Sequence, residues 1–193
     1  MPVLTPRSVQ EATSLLVANP DAQILSGGTD FMVEVNFNHR KPTTVLSLGA
    51  IDALREWQEN GTSVFIGAAV TWQDIEKGPI AGLLPALAEA ARTVGSPQIR
   101  AAGTIGGNLG TCSPAGDGLP PLAALDAVVH LRSLAGSRDL PFAEYMTGPK
   151  RTARQPGELV TGVTVPLLGG WQGYAKVGVR NAMVIATASA ALV

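Results

Sequence analysis

Two short glycine runs constrain this chain more than any other feature. The first, Ser26-Gly27-Gly28-Thr29-Asp30, stands between a strand-like stretch (Ala22 to Leu25) and a helix-like one (Phe31 to about Asn38). The second is Gly103-Thr104-Ile105-Gly106-Gly107-Asn108-Leu109-Gly110. Residues without a Cβ let backbone amides approach an anion closely, and a helix start adds about half a positive charge. In the first run Thr29 offers a hydroxyl, and Asp30 either caps the helix or accepts a ribose hydroxyl. The plainer alternative is a tight strand–helix turn with an Asp cap. The second run lacks the Gly-Lys-Ser/Thr ending of a Walker loop. It also follows a helix and a proline loop, not the strand that a G-x-G-x-x-G fingerprint requires. It reads either as a backbone nest, with glycine amides cupping a phosphate while Thr104 and Asn108 donate from side chains, or as a β-bulge or irregular strand.

Two such bends in one small domain suit a ligand with two adjacent negative groups and need no lysine. A diphosphate dinucleotide such as FAD is of that type. Composition removes competing classes. The 193 residues suffice for one full domain or two small ones, and 15% charged against about 25% in an average domain argues against disorder and for faces buried on partners. A net charge of −1 with no basic block, and only 5% aromatic residues, leave little basis for nucleic-acid binding. One cysteine, Cys112, excludes an internal disulfide and an iron–sulfur cluster held by this chain alone; it reads as an incidental buried thiol. His39 and His130 lack ligand spacing for zinc, and no Ser/His/Asp or paired-carboxylate set stands out. No metal ligand or catalytic acid or base is expected. The N-terminus has no signal-peptide pattern and no stretch is long enough to span a bilayer, so the expected location is cytoplasmic.

Periodicity outlines the rest. A helix follows the Ser8–Glu11 capping pattern, and Thr44 to Leu48 reads as a strand. Trp57 and Asn60-Gly61 mark a hairpin returning along Ser63 to Ala68, and Thr71 to Asp74 resembles a helix start. Pro85 to Arg92 reads as a helix running into the breaker cluster Val94-Gly95-Ser96-Pro97. A short helix starts at Pro120, and strands are expected at Ala127 to Leu131, Leu159 to Pro166 and Gly173 to Val177. Lys150, Arg151 and Arg154 read as a solvated loop, and Asp117 alone as a turn carboxylate. The chain stops inside a strand-like run, so it reads as cut from something longer, with an edge that something must cover.

The ordered set Ser26-Gly27-Gly28-Thr29-Asp30, Val94-Gly95-Ser96-Pro97-Gln98-Ile99-Arg100, Gly103-Thr104-Ile105-Gly106-Gly107-Asn108-Leu109, Ser113-Pro114-Ala115-Gly116-Asp117 and Leu125-Asp126-Ala127 strongly resembles the FAD-binding subunit of molybdenum hydroxylases. Glu158 to Thr161 and Lys176 to Ala182 resemble it too. The resemblance implies an α+β fold of the vanillyl-alcohol-oxidase (PCMH) type, two α/β subdomains with FAD between them. Its boundaries would be 1–52, 53–170, and 171–193 as the start of a truncated C-terminal domain. By resemblance, Leu25, Ser26, Gly27, Gly28, Thr29 and Asp30 wrap the diphosphate with Phe31 close by. Gly95 lies near the cofactor, and Thr104, Ile105, Gly106, Gly107 and Asn108 form the second diphosphate loop. Asp117 binds sugar or ribityl hydroxyls, Val160 lies by the flavin or adenine, and Lys176 lies near the isoalloxazine. The implied role is electron transfer, from two 2Fe–2S clusters on a small partner subunit through FAD to an external acceptor. Substrate is oxidised at a molybdenum cofactor on a large partner subunit. The alternatives are a stand-alone flavin oxidase of the same fold and a non-redox nucleotide-binding module.

Overall fold

In the computed structural model, which describes residues 1–193, β1 (Val3–Leu4), β2 (Gln23–Leu25) and β3 (Val45–Ser47) pair in parallel in the order β1-β3-β2. Parallel neighbours need crossovers, and α1 (Val9–Ala18) and α2 (Phe31–Asn36) supply them. Ser8 Oγ accepts from Glu11 N at 3.1 Å, as a capping pattern demands. The Glu11 carboxylate accepts from Arg7 N at 2.8 Å, one residue earlier than a full capping box would have it.

A short 3₁₀ helix (Asp52–Arg55) leads into the main sheet. Its strands are β4 (Trp57–Glu59), β5 (Ser63–Gly67), β6 (Val128–Ser133) and β7 (Gly136–Pro141). After a small hairpin of β8 (Met146–Gly148) and β9 (Arg151–Thr152), β10 (Leu159–Pro166) enters its centre, giving the antiparallel order β4-β5-β10-β6-β7. Seven short helices, α3 (Trp72–Lys77), α4 (Ile80–Leu83), α5 (Pro85–Thr93), α6 (Pro97–Ala102), α7 (Ile105–Thr111), α8 (Leu119–Ala124) and α9 (Phe142–Tyr145), account for the rest of this layer. Alternation puts Val64, Ile66, Val129, Leu131, Val163 and Val165 in the core with Ile75, Leu87, Ile105, Leu109 and Leu122 of the helices. Ala12 and Leu16 of α1, Leu46 of β3 and Leu48 just after it belong to the same cluster, so a single core runs under both sheets. On the other face of the main sheet His130 bridges Asp139 (2.8 Å) and Thr164 (2.7 Å), with the Phe65 ring 5.7 Å away. β11 (Gly173–Val177) and β12 (Ala188–Leu192) form a separate antiparallel pair. No helix is long and apolar enough to cross a membrane.

The sequence reading and the structure part company at the breakers. Pro97 begins α6 instead of ending order, because Ser96 Oγ accepts from Ile99 N and proline suits the first helical position. The second glycine run is neither nest nor bulge but helix α7, capped by Thr104, whose Oγ1 accepts from Gly107 N at 3.0 Å. Three glycines in seven residues disfavour a helix. Packing prevails: a Cβ on Gly106 would stand 2.5 Å from the Ala68 carbonyl oxygen, so only glycine lets α7 approach the segment after β5 this closely.

Gly67 is as tightly placed, since a Cβ there would stand 2.4 Å from Leu54 O and 2.7 Å from Glu56 O, whereas one on Gly82 in α4 would meet nothing within 4 Å. Gly67→Ala is expected to lower stability by about 1–3 kcal/mol. Gly82→Ala should raise it by up to ~1 kcal/mol. Urea denaturation of both variants checks the opposite signs. A second test concerns Glu158, which is buried and takes Arg138 Nε and Nη2 on its two oxygens (3.0 and 2.8 Å) and Gln155 N at 2.6 Å. The Arg138 guanidinium first, then the Gln155 amide, hold its carboxyl below the ordinary 4.5 against the opposing effect of burial. A depressed carboxyl stabilises fully above its unfolded value and loses that contribution as pH falls through the folded one. Glu158→Gln should therefore be less stable than the parent at neutral pH, and the gap should begin to close as pH falls past about 4.5 and vanish only below the lowered folded value, read from melting curves across the acid range.

Candidate functional site

The two glycine runs meet. β2 ends at Leu25, whose carbonyl accepts from Leu48 N, and the chain leaves the sheet through Ser26–Asp30. Gly28 takes φ +75°, a conformation that side chains resist. Gly27 lies against the junction of α6 and α7, where a Cβ would stand 1.8 Å from Ala102 O. Beside it Ser26 Oγ and Thr104 Oγ1 are 2.9 Å apart, and a Cβ on Gly107 would come 3.9 Å from Ser26 Cβ.

Hydrogen-bond accounting separates the two loops. None of the amides from Ser26 to Asp30 donates within the chain, so a row of five N–H groups, on residues half-buried from Ser26 to Thr29 and exposed at Asp30, is left for another acceptor. The second run differs from the nest expected of it. Ile105 N donates to Val70 O, Gly106 N to Ala68 O and Gly107 N to Thr104 Oγ1, so these amides are already used. What this loop can offer is Thr104: its own amide donates to no backbone carbonyl. The Ser26–Thr104 pair holds two hydroxyl hydrogens and uses one between them, leaving the other available whichever group donates. Asp30, at the N-cap of α2, makes no side-chain cap bond, so the capping alternative fails.

The remaining expected residues divide by location. Leu25 ends β2 just before the first loop, and Thr29 within the loop faces the second run, where a Cβ on Gly103 would meet Thr29 Oγ1 at 3.3 Å. Phe31 and Val160, each 6% exposed, point into the interior, and Arg40 lies 5.1 Å over the Phe31 ring. Gly95, at φ +45°, forms a turn whose carbonyl accepts from Arg100 Nη1 at 3.3 Å, while Arg100 Nε pairs with Glu76 at 2.8 Å. Asn108 is directed toward the turn after α7: a Cβ on Gly116 would meet its Nδ2 at 2.4 Å, and its buried Oδ1 has no partner. Asp117 and Lys176 are joined by a 2.7 Å ion pair with side chains only 8% and 6% exposed. Lys176 Nζ also donates to Thr93 O and Tyr174 O–H to Asp117 Oδ1. Burial foremost, with the Asp117 charge adding, pushes the Tyr174 hydroxyl up to about 12. Sequence reasoning missed Tyr174, Arg100 and Arg55. For Tyr174 a signal existed, because residues two apart on a strand share a face and Lys176 was already singled out.

A cleft of about 220 Å³ opens beside the joined loops, lined by Ser26, Gly27, Gly49, Arg55, Ala69, Thr71, Ala101, Ala102 and Thr104. That is below the ~300 Å³ at which whole-ligand pockets begin, and it suits the phosphate portion of a longer molecule. A second hollow of about 240 Å³, among Ala123, Asp126, Pro141, Phe142, Ala143 and Met146, includes none of the glycine-loop residues. No three His, Cys, Asp or Glu side chains gather where they could hold a metal ion. The five unspent amides, the spare hydroxyl hydrogen and the Cβ-free approach are donors and space that a diphosphate requires, so the residues present fit FAD.

Comparison with known proteins agrees. Residues 1–168 match the family described as the FAD binding domain in molybdopterin dehydrogenase. The chain is 38% identical over 166 residues to the nicotinate dehydrogenase FAD-subunit of Eubacterium barkeri, covering 83% of this chain and 56% of that protein. It is 34% identical over 186 residues to the glyceraldehyde dehydrogenase medium chain of Sulfolobus acidocaldarius, covering 96% and 66%. The chain thus spans between about half and two thirds of the length of these curated relatives. Among solved structures, carbon monoxide dehydrogenase from Hydrogenophaga pseudoflava superposes with a TM-score of 0.93 at 30% identity, over 98% of this chain and 67% of that one. Quinoline 2-oxidoreductase from Pseudomonas putida 86 gives 0.95 at 26% identity, over 99% and 67%. The mixed helix and strand architecture is therefore the α+β fold expected, and the chain belongs to the FAD-binding domain family of the molybdopterin dehydrogenases.

Proposed function

We propose that this chain is the FAD-carrying part of an electron-transfer subunit in a molybdenum-containing hydroxylase. A small partner subunit with two 2Fe–2S clusters delivers electrons, a large partner subunit holds the molybdenum cofactor, and an external acceptor takes the electrons away. The assembly works in the cytoplasm. The observation that carries the reading is the junction of Ser26–Asp30 with Thr104, where unspent amides stand beside a hydroxyl pair with one hydrogen to spare. Bound there, FAD supplies the exchange between one-electron donors and two-electron acceptors.

The chain's own part is binding and orientation. The amides of Ser26, Gly27, Gly28, Thr29 and Asp30 hold the diphosphate, with Leu25 and Phe31 supporting the loop from the sheet and from the interior. Thr104 adds its amide and the spare hydroxyl hydrogen, while Ile105, Gly106, Gly107 and Asn108 form the helix that sets Thr104 in place. Asp117 serves the sugar or ribityl hydroxyls. Lys176 uses two of its three hydrogens on Asp117 and Thr93, and the third is free for the flavin side. Gly95 shapes the wall through its turn, and Val160 backs the site through strand β10. Residues 1–52 and 53–170 form the two FAD-binding subdomains, and 171–193 begin a further domain.

The purified chain should show flavin absorption bands after incubation with FAD and desalting, and a colourless product would sink the reading. Gly107→Val should lose at least about tenfold in FAD affinity. Its side chain would enter the space beside Ser26 and Thr104, from which a Cβ is already 3.9 and 3.1 Å away. Unchanged flavin retention in that variant, with intact folding by circular dichroism, would remove α7 from the site. Co-purification of the natural assembly with iron–sulfur and molybdenum chains separates a subunit from a lone oxidase.

A further inference from the structure

The amides and hydroxyls at the joined loops carry no formal charge, yet a diphosphate brings about two negative charges at neutral pH. A cation within reach therefore has a defined job. Arg100, the cation of α6 next to the cleft-lining Ala101 and Ala102, is committed to Glu76 at 2.8 Å, and Lys176 to Asp117 at 2.7 Å. Arg55 is not. It lines the cleft shared by Ser26, Gly27 and Thr104, and that lining contains no acidic residue. It enters none of the chain's ion pairs. Its one hydrogen bond runs from Nη2 to Gly49 O at 3.1 Å, which tethers the guanidinium at the rim and leaves four of five N–H donors unspent. Gly49 and Arg55 lie on the segment between β3 and β4 that links the two sheets, so this cleft wall comes from a different stretch of chain than the two glycine runs.

We propose that Arg55 is a charge-bearing contact for the diphosphate bridge. The inference rests on the FAD reading for the identity of the ligand, but its chemistry is that of any diphosphate. Guanidinium meets phosphate oxygens in a two-point fork that a point charge cannot reproduce. Because Arg55 is solvent-exposed, salt screens its contribution, and the effect should shrink as ionic strength rises.

Titration calorimetry of the chain with ADP, inorganic pyrophosphate and FAD, at low and high salt, tests it in the parent, Arg55→Gln and Arg55→Lys. Arg55→Gln should weaken ADP and FAD binding by about tenfold to a hundredfold at low salt and flatten the salt dependence. Arg55→Lys should recover part of both. Equal affinity and equal salt slope in parent and Arg55→Gln would overturn the proposal, as would a parent that binds neither ADP nor pyrophosphate. Riboflavin, which has no phosphate, should bind parent and Arg55→Gln alike, and an equal loss of riboflavin would reduce Arg55 to a structural prop. A parent that binds ADP through Arg55 but ignores FAD would refute the flavin reading while leaving this contact standing.

Discussion

The contact between Gly27 and the Ala102 carbonyl sets the distance between two parts of the protein that otherwise have separate sheets. On one side is the parallel unit, whose strand β2 ends at Leu25; on the other are helices α6 and α7. Any side chain at Gly27 would have to occupy the position of that carbonyl. With the gap closed, Ser26 and Thr104 reach hydrogen-bonding distance and the row of unspent amides is held beside them. Such amides are uncomfortable in a protein interior. They persist here because the loop is half-exposed and open to solvent or a ligand, while Leu46 and Leu48 beside it are anchored in the core.

Much of this was legible in the chain before its structure. The alternation from Leu159 to Pro166 locates β10, and Asn60-Gly61 marks the hairpin of β4 and β5. Thr71 with Asp74 forms a complete capping box. Each of these signals is local, encoded by residues that lie within one element. The meeting of the two glycine runs was expected as well, though from chemistry and resemblance, since no spacing rule brings Ser26 to Thr104.

What escaped reading depends on distant partners. Helix α7 runs against local preference, and its glycines find their reason in Ala68, which lies in another segment. The same distance hid the fate of the Ile105 and Gly106 amides, taken by Val70 and Ala68. A glycine in a sequence announces that backbone comes near something; whether that something is a ligand or another stretch of chain is a tertiary fact. Gly27 and Gly28 stand by an open row of donors, whereas Gly106 serves packing. Asp117 is a parallel case, an ordinary turn carboxylate in one dimension and the centre of a polar cluster in three.

That cluster binds the fates of residues far apart in the chain. Asp117 and Lys176 neutralise one another almost out of reach of water, and removing either strands the other's charge where solvent cannot compensate it. A change at one position is thus far less costly when its mate is neutralised as well. The β11–β12 hairpin, although it lies outside both larger sheets, is thereby clamped electrostatically to the turn after α7.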